Sequence, residues 1–328
     1  MSSSSDATGG DGAPRPFDAA LLDRLRGRVV GRPRELESVV AALAAGRHLL
    51  LEGPPGTGKS TVLRAVAEEA GLGFEFVEGN AELTPARLVG AFDPSAVLTE
   101  GYRPEVFIDG PLLRALRDGS LLYVEEINRI PEETLNVLIT VMSEGQVHVP
   151  RLGPVRAADG FRLVAAMNPF DAVGTARIAS AVYDRCCRLA MDYQDATDEA
   201  LIVADGAAGA AGRLGPGAVL AAVEMVRDSR SHPDLRTGSS VRGAIDFTLV
   251  ADELATLRGT DPRDPAVTLD AALLALSGRV RVRDGATRSG DDVVRELWER
   301  HFGPRGDDAD GDGDAGADAD DTGGAGKA

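Results

Sequence analysis

Eight consecutive residues, Gly53-Pro54-Pro55-Gly56-Thr57-Gly58-Lys59-Ser60, place two glycines around a four-residue gap and follow them with a lysine and a hydroxyl. That order suits a phosphate cradle. The glycines let the backbone curl until successive N–H groups converge on an anion, Lys59 offers its charge to the β and γ phosphates, and Ser60 offers an oxygen to Mg²⁺. With Thr61 next in line, the whole run from Gly53 is a candidate nucleotide contact. Further along, the stretch LLYVEEINRI (residues 121–130) ends an apolar run in two adjacent carboxylates, Glu125 and Glu126. Successive residues of a strand point different ways. One carboxylate can therefore bind Mg²⁺, through its waters, while the next orients the attacking water or takes its proton; Glu125 is assigned to the metal and Glu126 to the water.

These groups act together only if the surrounding elements bring them together. His48 to Glu52 reads as a buried strand, and Val62, Leu63, Val66, Ala67 and Ala70 recur at the spacing of one helical face within Thr61 to Ala70. The glycine-rich loop therefore sits between a strand and a helix whose positive end faces the same anion. A loop that merely turns would need neither neighbour. Phe74 to Val77, Leu121 to Val124 and Phe161 to Ala166 read as further strands, and Pro131 opens a helix bearing Leu135, Leu138, Ile139 and Met142. This alternation predicts an α/β fold with a parallel sheet flanked by helices. Ligands of such sheets gather at the carboxyl ends of the strands, which delivers Glu125 and Glu126 to the crevice of the phosphate loop.

From about Asp195 the strand signals fade and an Ala/Leu/Val-rich helical pattern takes over, as in Val219 to Val226 and Val241 to Leu257. The expected organisation is an N-terminal segment 1–16 too polar to pack, an α/β nucleotide-binding domain 17–194, a smaller all-α lid domain 195–303, and an acidic tail 304–328. The tail contains Asp308-Ala309-Asp310-Gly311-Asp312-Gly313, which opens like a calcium loop, but Ala319 stands where the bidentate Glu belongs. A solvated acidic tail is the favoured reading.

The chain carries 35 basic and 52 acidic residues, a net charge of −17, and only Lys59 and Lys327 are lysines. Such a surface repels a phosphate backbone, and no basic cluster interleaved with aromatics offsets it, so nucleic acid is not an expected partner. No apolar run approaches the roughly 18 residues of a membrane span, and the N-terminus lacks the order of a signal peptide, which predicts a cytoplasmic protein with no membrane partner. Cys186 and Cys187 are adjacent and form neither a disulfide framework nor a spaced metal set; both are expected to be small buried hydrophobes. His148 and His232 have no carboxylate or Cys partner at ligand spacing in the sequence and read as structural.

The runs GPPGTGKST, VEEINR with the trailing Pro131, and VAAMNP at Val164 to Pro169 resemble the AAA+ ATPases, and within them the MoxR branch. The resemblance spans about Phe17 to Phe302. It implies an AAA+ P-loop NTPase fold, Mg²⁺-dependent ATP hydrolysis, and a homo-oligomeric ring, a hexamer in the family, with nucleotide held between subunits. It also implies a chaperone-like role in remodelling, activating or maturing a partner protein, for which a von Willebrand A-type domain is the family precedent. Asn168 matches the first sensor, which bonds the attacking water or γ-phosphate. Tyr183-Asp184-Arg185-Cys186 stands where the arginine finger motif falls, without its Phe, so Arg185 is preferred while Arg177 and Arg188 compete. Gly238-Ser239-Ser240-Val241-Arg242 resembles the second sensor, which folds Arg242 back onto the phosphates. Val30-Gly31-Arg32 resembles the box beside the adenine, giving Val30 and Gly31 as base contacts. The family's metal-binding Asp is here Glu125, longer by one methylene. Residues Pro85 to Pro111 correspond to an insert that can face the ring centre. Competing readings are a nucleotide-gated assembly switch with little turnover, a metal-chelatase motor subunit, and a nucleic-acid motor.

Overall fold

A computed structural model describes residues 17–169 and 180–303. Two amphipathic helices, α1 (Ala19–Arg28) and α2 (Pro33–Ala44), lead into strand β1 (His48–Glu52). Past the glycine-rich loop come α3 (Lys59–Glu69) and β2 (Phe74–Glu78), then α4 (Pro85–Val89), β3 (Gly90–Phe92), α5 (Pro94–Glu100) and β4 (Phe107–Asp109). Next follow α6 (Pro111–Asp118), β5 (Leu121–Glu125) and α7 (Glu132–Glu144). A hairpin of β6 (Gln146–Val149) and β7 (Gly153–Arg156) precedes β8 (Arg162–Met167). After α8 (Ser180–Arg185) and β9 (Cys186–Ala190) the chain is mostly helical: α9 (Ala196–Gly206), α10 (Ala208–Leu214) and α11 (Pro216–Ser231). It ends with β10 (Leu235–Thr237), α12 (Val241–Arg258), α13 (Pro265–Leu276), β11 (Arg281–Val282) and α14 (Gly290–Phe302).

The four expected strands, joined at one edge by β9, which was not expected, form one parallel five-stranded sheet in the order β2-β5-β8-β1-β9. Its side chains alternate with period two and split the interior in half. Leu49 and Leu51 of β1, Leu121 and Tyr123 of β5, and Val164 and Ala166 of β8 pack with α1, α2 and α3. Leu50, Leu122, Val124, Leu163 and Ala165 face the other way, onto Leu112 and Leu116 of α6 and Leu138 and Val141 of α7. Being two residues past Tyr123, Glu125 falls on the α3 side. Helix α7 starts one residue later than expected, because Pro131 takes an extended ψ of 146° and serves as its N-cap.

The insert 85–111 holds two short helices and the β3–β4 hairpin, where Phe92 packs edge-on against Phe107 and Tyr102. Helices α9 to α14 surround a separate apolar cluster that includes Val223, Phe247, Ala271 and Val294. Among the described residues no helix is long and apolar enough to cross a membrane. The expectations for segments 1–16 and 304–328, including the calcium-like run, lie outside the described residues.

Candidate nucleotide site

The loop's glycines answer to three different demands. Gly56 and Gly58 adopt φ of 76° and 82°, a region costly to residues with a Cβ. Gly53 has no such torsion, but a Cβ there would lie 1.9 Å from the Met191 carbonyl oxygen. A Cβ on Gly56 would also meet Ser240 at 2.4 Å, so the segment entering α12 presses directly on the loop. Helix α3 begins after Gly58 with no capping side chain, and the N–H groups of its first turn are left to the loop's concave side.

Lys59 is buried, and its Nζ donates to the carbonyls of Gly53 at 2.8 Å and Pro54 at 2.9 Å and to Thr57 Oγ1 at 3.4 Å. Burial pushes its ammonium below the usual lysine range; the Glu125 charge opposes this, while Arg32 and Arg242 act with it. Three cations converging on one loop make a region that favours a multiply charged anion.

Ser60 Oγ donates to Glu125 Oε1 at 3.2 Å, and the Tyr123 hydroxyl lies 3.2 Å from the same Oγ. At Glu126 the chain leaves the strand through the left-handed region, with φ 51° and ψ 44°. This turn parts the two carboxylates, and that of Glu126 pairs with Arg129 Nη1 at 2.9 Å. The bend requires Gly79 beside it: the Gly79 N–H donates to Glu125 O at 2.7 Å, and a Cβ would lie 2.4 Å from Glu126 O. Glu78, in register with Glu125 on the next strand, lines the same hollow as Lys59, Ser60, Glu125, Glu126 and Arg242. Asn168 follows β8, the strand between β1 and β5, and the preceding Met167 carbonyl accepts from Gly53 N at 3.2 Å.

Arg242 also borders a second, more apolar cavity beside the loop, lined by Val30, Val62, Ile202, Val241 and Ile245. Val30, expected as a base contact, is thus among the residues lining this cavity. Gly31 does not line that cavity; it fixes the segment against α9, since a Cβ there would lie 2.3 Å from Asp198 Oδ2. The neighbouring Val30 carbonyl accepts from Gln194 Nε2 at 2.6 Å.

The three finger candidates separate. Arg185 ends α8, where Nη1 donates to Ala181 O at 2.9 Å and Nε meets Ser143 Oγ, and it is not among the residues lining this chain's hollow. Arg188 Nε binds the buried Glu52 at 2.5 Å, and Glu52 also accepts from Tyr183 Oη at 2.7 Å. Arg177 lies outside the described residues. Two smaller expectations change. Cys187 is exposed rather than buried, because it sits on the edge strand β9; the Cys186 thiol, against Met142 Sδ, is pushed up to about 12 by burial. His232 does meet a carboxylate, Glu296 at 3.4 Å, one that lies 64 residues away in sequence.

The donors fit the groups expected here. A hydroxyl and a carboxylate 3.2 Å apart are hard oxygen ligands suited to Mg²⁺, which commonly takes one or two protein oxygens and completes its shell with phosphate and water. Among the described residues no cluster of three or more His, Cys, Asp or Glu offers an all-protein cage. Tyr123, Glu78, Ile202 and Ile245 were not read from the sequence. Tyr123 had a signal, since it lies two positions before Glu125 in an alternating strand.

Residues 48–186 match the family model described as the AAA domain of the dynein-related subfamily. An uncharacterized protein of Staphylococcus epidermidis is 34% identical over 161 residues, covering 48% of this chain and 60% of the relative. One from Staphylococcus aureus is 34% identical over 151 residues, covering 45% and 57%. The chain thus spans about 60% of the length of these curated relatives. Among solved structures, the RuvB Holliday junction branch migration motor of Thermotoga maritima is 20% identical with a TM-score of 0.47, covering 86% of this chain and 76% of that one. NtrX from Brucella abortus in complex with ADP is 20% identical with a TM-score of 0.48, covering 71% and 53%. The fold is the AAA+ P-loop fold, a parallel five-stranded sheet flanked by helices with a helical C-terminal region, and its sheet from β1 to the start of β9 is the part that matches the AAA domain.

Proposed function

We propose that this chain is a MoxR-type AAA+ ATPase that hydrolyses ATP to ADP and phosphate. The convergence of Lys59, Ser60, Glu125, Glu126 and Arg242 on one hollow at the carboxyl ends of β1 and β5 carries the reading. The loop amides and Lys59 would bind the phosphates, with Val30, Ile202 and Ile245 against the base. Mg²⁺, held by Ser60 and Glu125, would neutralise charge on the phosphate oxygens. Glu126 takes the proton of the attacking water, and Asn168 holds that water or the γ-phosphate. Arg242, at the start of α12, ties the helical region to the phosphates, so that its position follows nucleotide state.

The same reading makes the active unit a ring in which Arg185 serves a neighbour's nucleotide, acting on a protein client in the cytoplasm. A client with a von Willebrand A-type domain is the class the resemblance favours. A second reading, a switch with little turnover until a partner engages it, is favoured by the Glu126–Arg129 ion pair, which turns the proposed base toward a cation of its own chain.

Phosphate release per subunit, measured as protein concentration rises at low and high salt, separates the two. A rate that climbs and levels supports a shared-site ATPase. A flat, near-zero rate with bound nucleotide supports the switch. Lys59→Ala is expected to lose nucleotide binding, whereas Glu126→Gln keeps binding and loses turnover by about 100-fold or more. Normal turnover in Glu126→Gln would refute its assigned role.

A further inference from the structure

Tyr123 is fully buried, yet it ends in a polar atom that must find a partner. Its ring is fixed by Phe74 at 6.0 Å and Phe76 at 5.7 Å between centroids, and the Arg64 guanidinium covers both phenylalanines. The hydroxyl reaches Ser60 Oγ and also interacts with Glu125. These are the two residues that would hold the metal.

Proton counting fixes the direction of this chain of contacts. Each hydroxyl has one proton, and that of Ser60 goes to the Glu125 carboxylate. Tyr123 therefore donates to Ser60. Accepting from Tyr123 leaves Ser60 one lone pair directed elsewhere. Glu125 has three side-chain torsions to fix, and a phenol anchored by aromatic packing supplies a rigid reference for them.

We infer that Tyr123 is a positioning residue for the metal corner of the nucleotide site, orienting Ser60 and the Glu125 carboxylate before a divalent cation arrives. This rests on the nucleotide reading above. It extends that reading to a residue that does not itself line the hollow, and it makes cation affinity, more than phosphate affinity, the property Tyr123 sets.

The test is Tyr123→Phe, which keeps the ring and its packing and removes only the hydroxyl. Binding of a fluorescent ATP analogue is titrated against MgCl₂ at fixed nucleotide, and again in EDTA. The half-saturating Mg²⁺ concentration should rise about 2- to 10-fold, the effect of one lost hydrogen bond, while affinity in EDTA stays at the wild-type value. At saturating Mg²⁺, kcat should return close to wild type, whereas a merely structural lesion would lower it at every Mg²⁺ concentration. In a Ser60→Ala background the same substitution should shift the Mg²⁺ midpoint by less than 2-fold. An unchanged midpoint in folded Tyr123→Phe, or an equal loss in EDTA, overturns the inference and leaves the nucleotide site standing. A wild-type chain that binds no nucleotide overturns the site itself and this inference with it.

Discussion

Gly79→Ala perturbs the turn that carries Glu126 without altering any proposed catalytic group. A Cβ at position 79 would lie 2.4 Å from Glu126 O, 2.8 Å from Glu125 O and 2.9 Å from Glu126 C, all of them backbone atoms with no rotamer to change. Comfortable C···O separations begin at about 3.3 Å, so the turn must retreat by roughly 0.9 Å. A shift of about 1 Å in a catalytic group costs on the order of 100-fold in rate, and forced overpacking costs about 1–3 kcal/mol of stability. Turnover should therefore fall between about 10- and 100-fold. The melting temperature should drop by several degrees, at about 2–4 °C per kcal/mol. Nucleotide binding through the phosphate loop, on the far side of β8, should change by less than about 3-fold, below roughly 0.7 kcal/mol. The assays are phosphate release, equilibrium binding of a fluorescent ATP analogue and thermal melting. Gly212→Ala is the control: in α10, with nothing within 4 Å of the added methyl, it should be neutral or stabilising by up to about 1 kcal/mol. Wild-type turnover and melting in Gly79→Ala would refute the claim that the β2 end holds the Glu125–Glu126 turn in place.

Arg185→Ala should slow turnover as Glu126→Gln does, and adding Lys59→Ala subunits should restore part of the rate, because those subunits bring an intact Arg185 to a neighbour's site. No restoration would return the finger to Arg177 or Arg188, or exclude action between subunits. His48 predicts a pH dependence of stability: burial, reinforced by the Arg162 charge, lowers its pKa from 6.5 to about 4, and its Nδ1 accepts from Leu163 N at 2.9 Å. Between those values the unfolded chain takes up a proton that the folded protein refuses. Stability is thus full above about pH 6.5 and declines toward pH 4, by roughly 2–3 kcal/mol. Urea midpoints from pH 7 to pH 4 should show that slope, and His48→Gln should flatten it; an equal slope in the variant would assign the effect to other groups.

What could be read from the sequence was whatever local order sets. The phosphate loop, the strands that flank it and the carboxylates ending β5 follow from spacing, because a loop between strand and helix and a side-chain period of two leave few alternatives. Contacts between distant segments were not legible in this way. Nothing near Val30 announces that Ile202 and Ile245 complete its cavity, and nothing near His232 announces Glu296. Arg188 competed with the preferred Arg185 until β9 came to lie beside β1 and gave it Glu52. Gly79 gave no local sign either, since its constraint is a neighbour's backbone and its own torsion is ordinary. Cys187 misled because a cysteine is by default a small buried hydrophobe, and an edge strand leaves one side to solvent.

Lys59 is one of only two lysines in the sequence, the other being Lys327, and burial lowers its proton affinity. Among the described residues amine-selective chemistry therefore addresses Lys59 alone, and one acyl group there cancels the charge that defines the loop. The mass of the tryptic peptide containing Lys59, followed with and without nucleotide, turns that scarcity into a direct readout of site occupancy in an otherwise unlabelled protein.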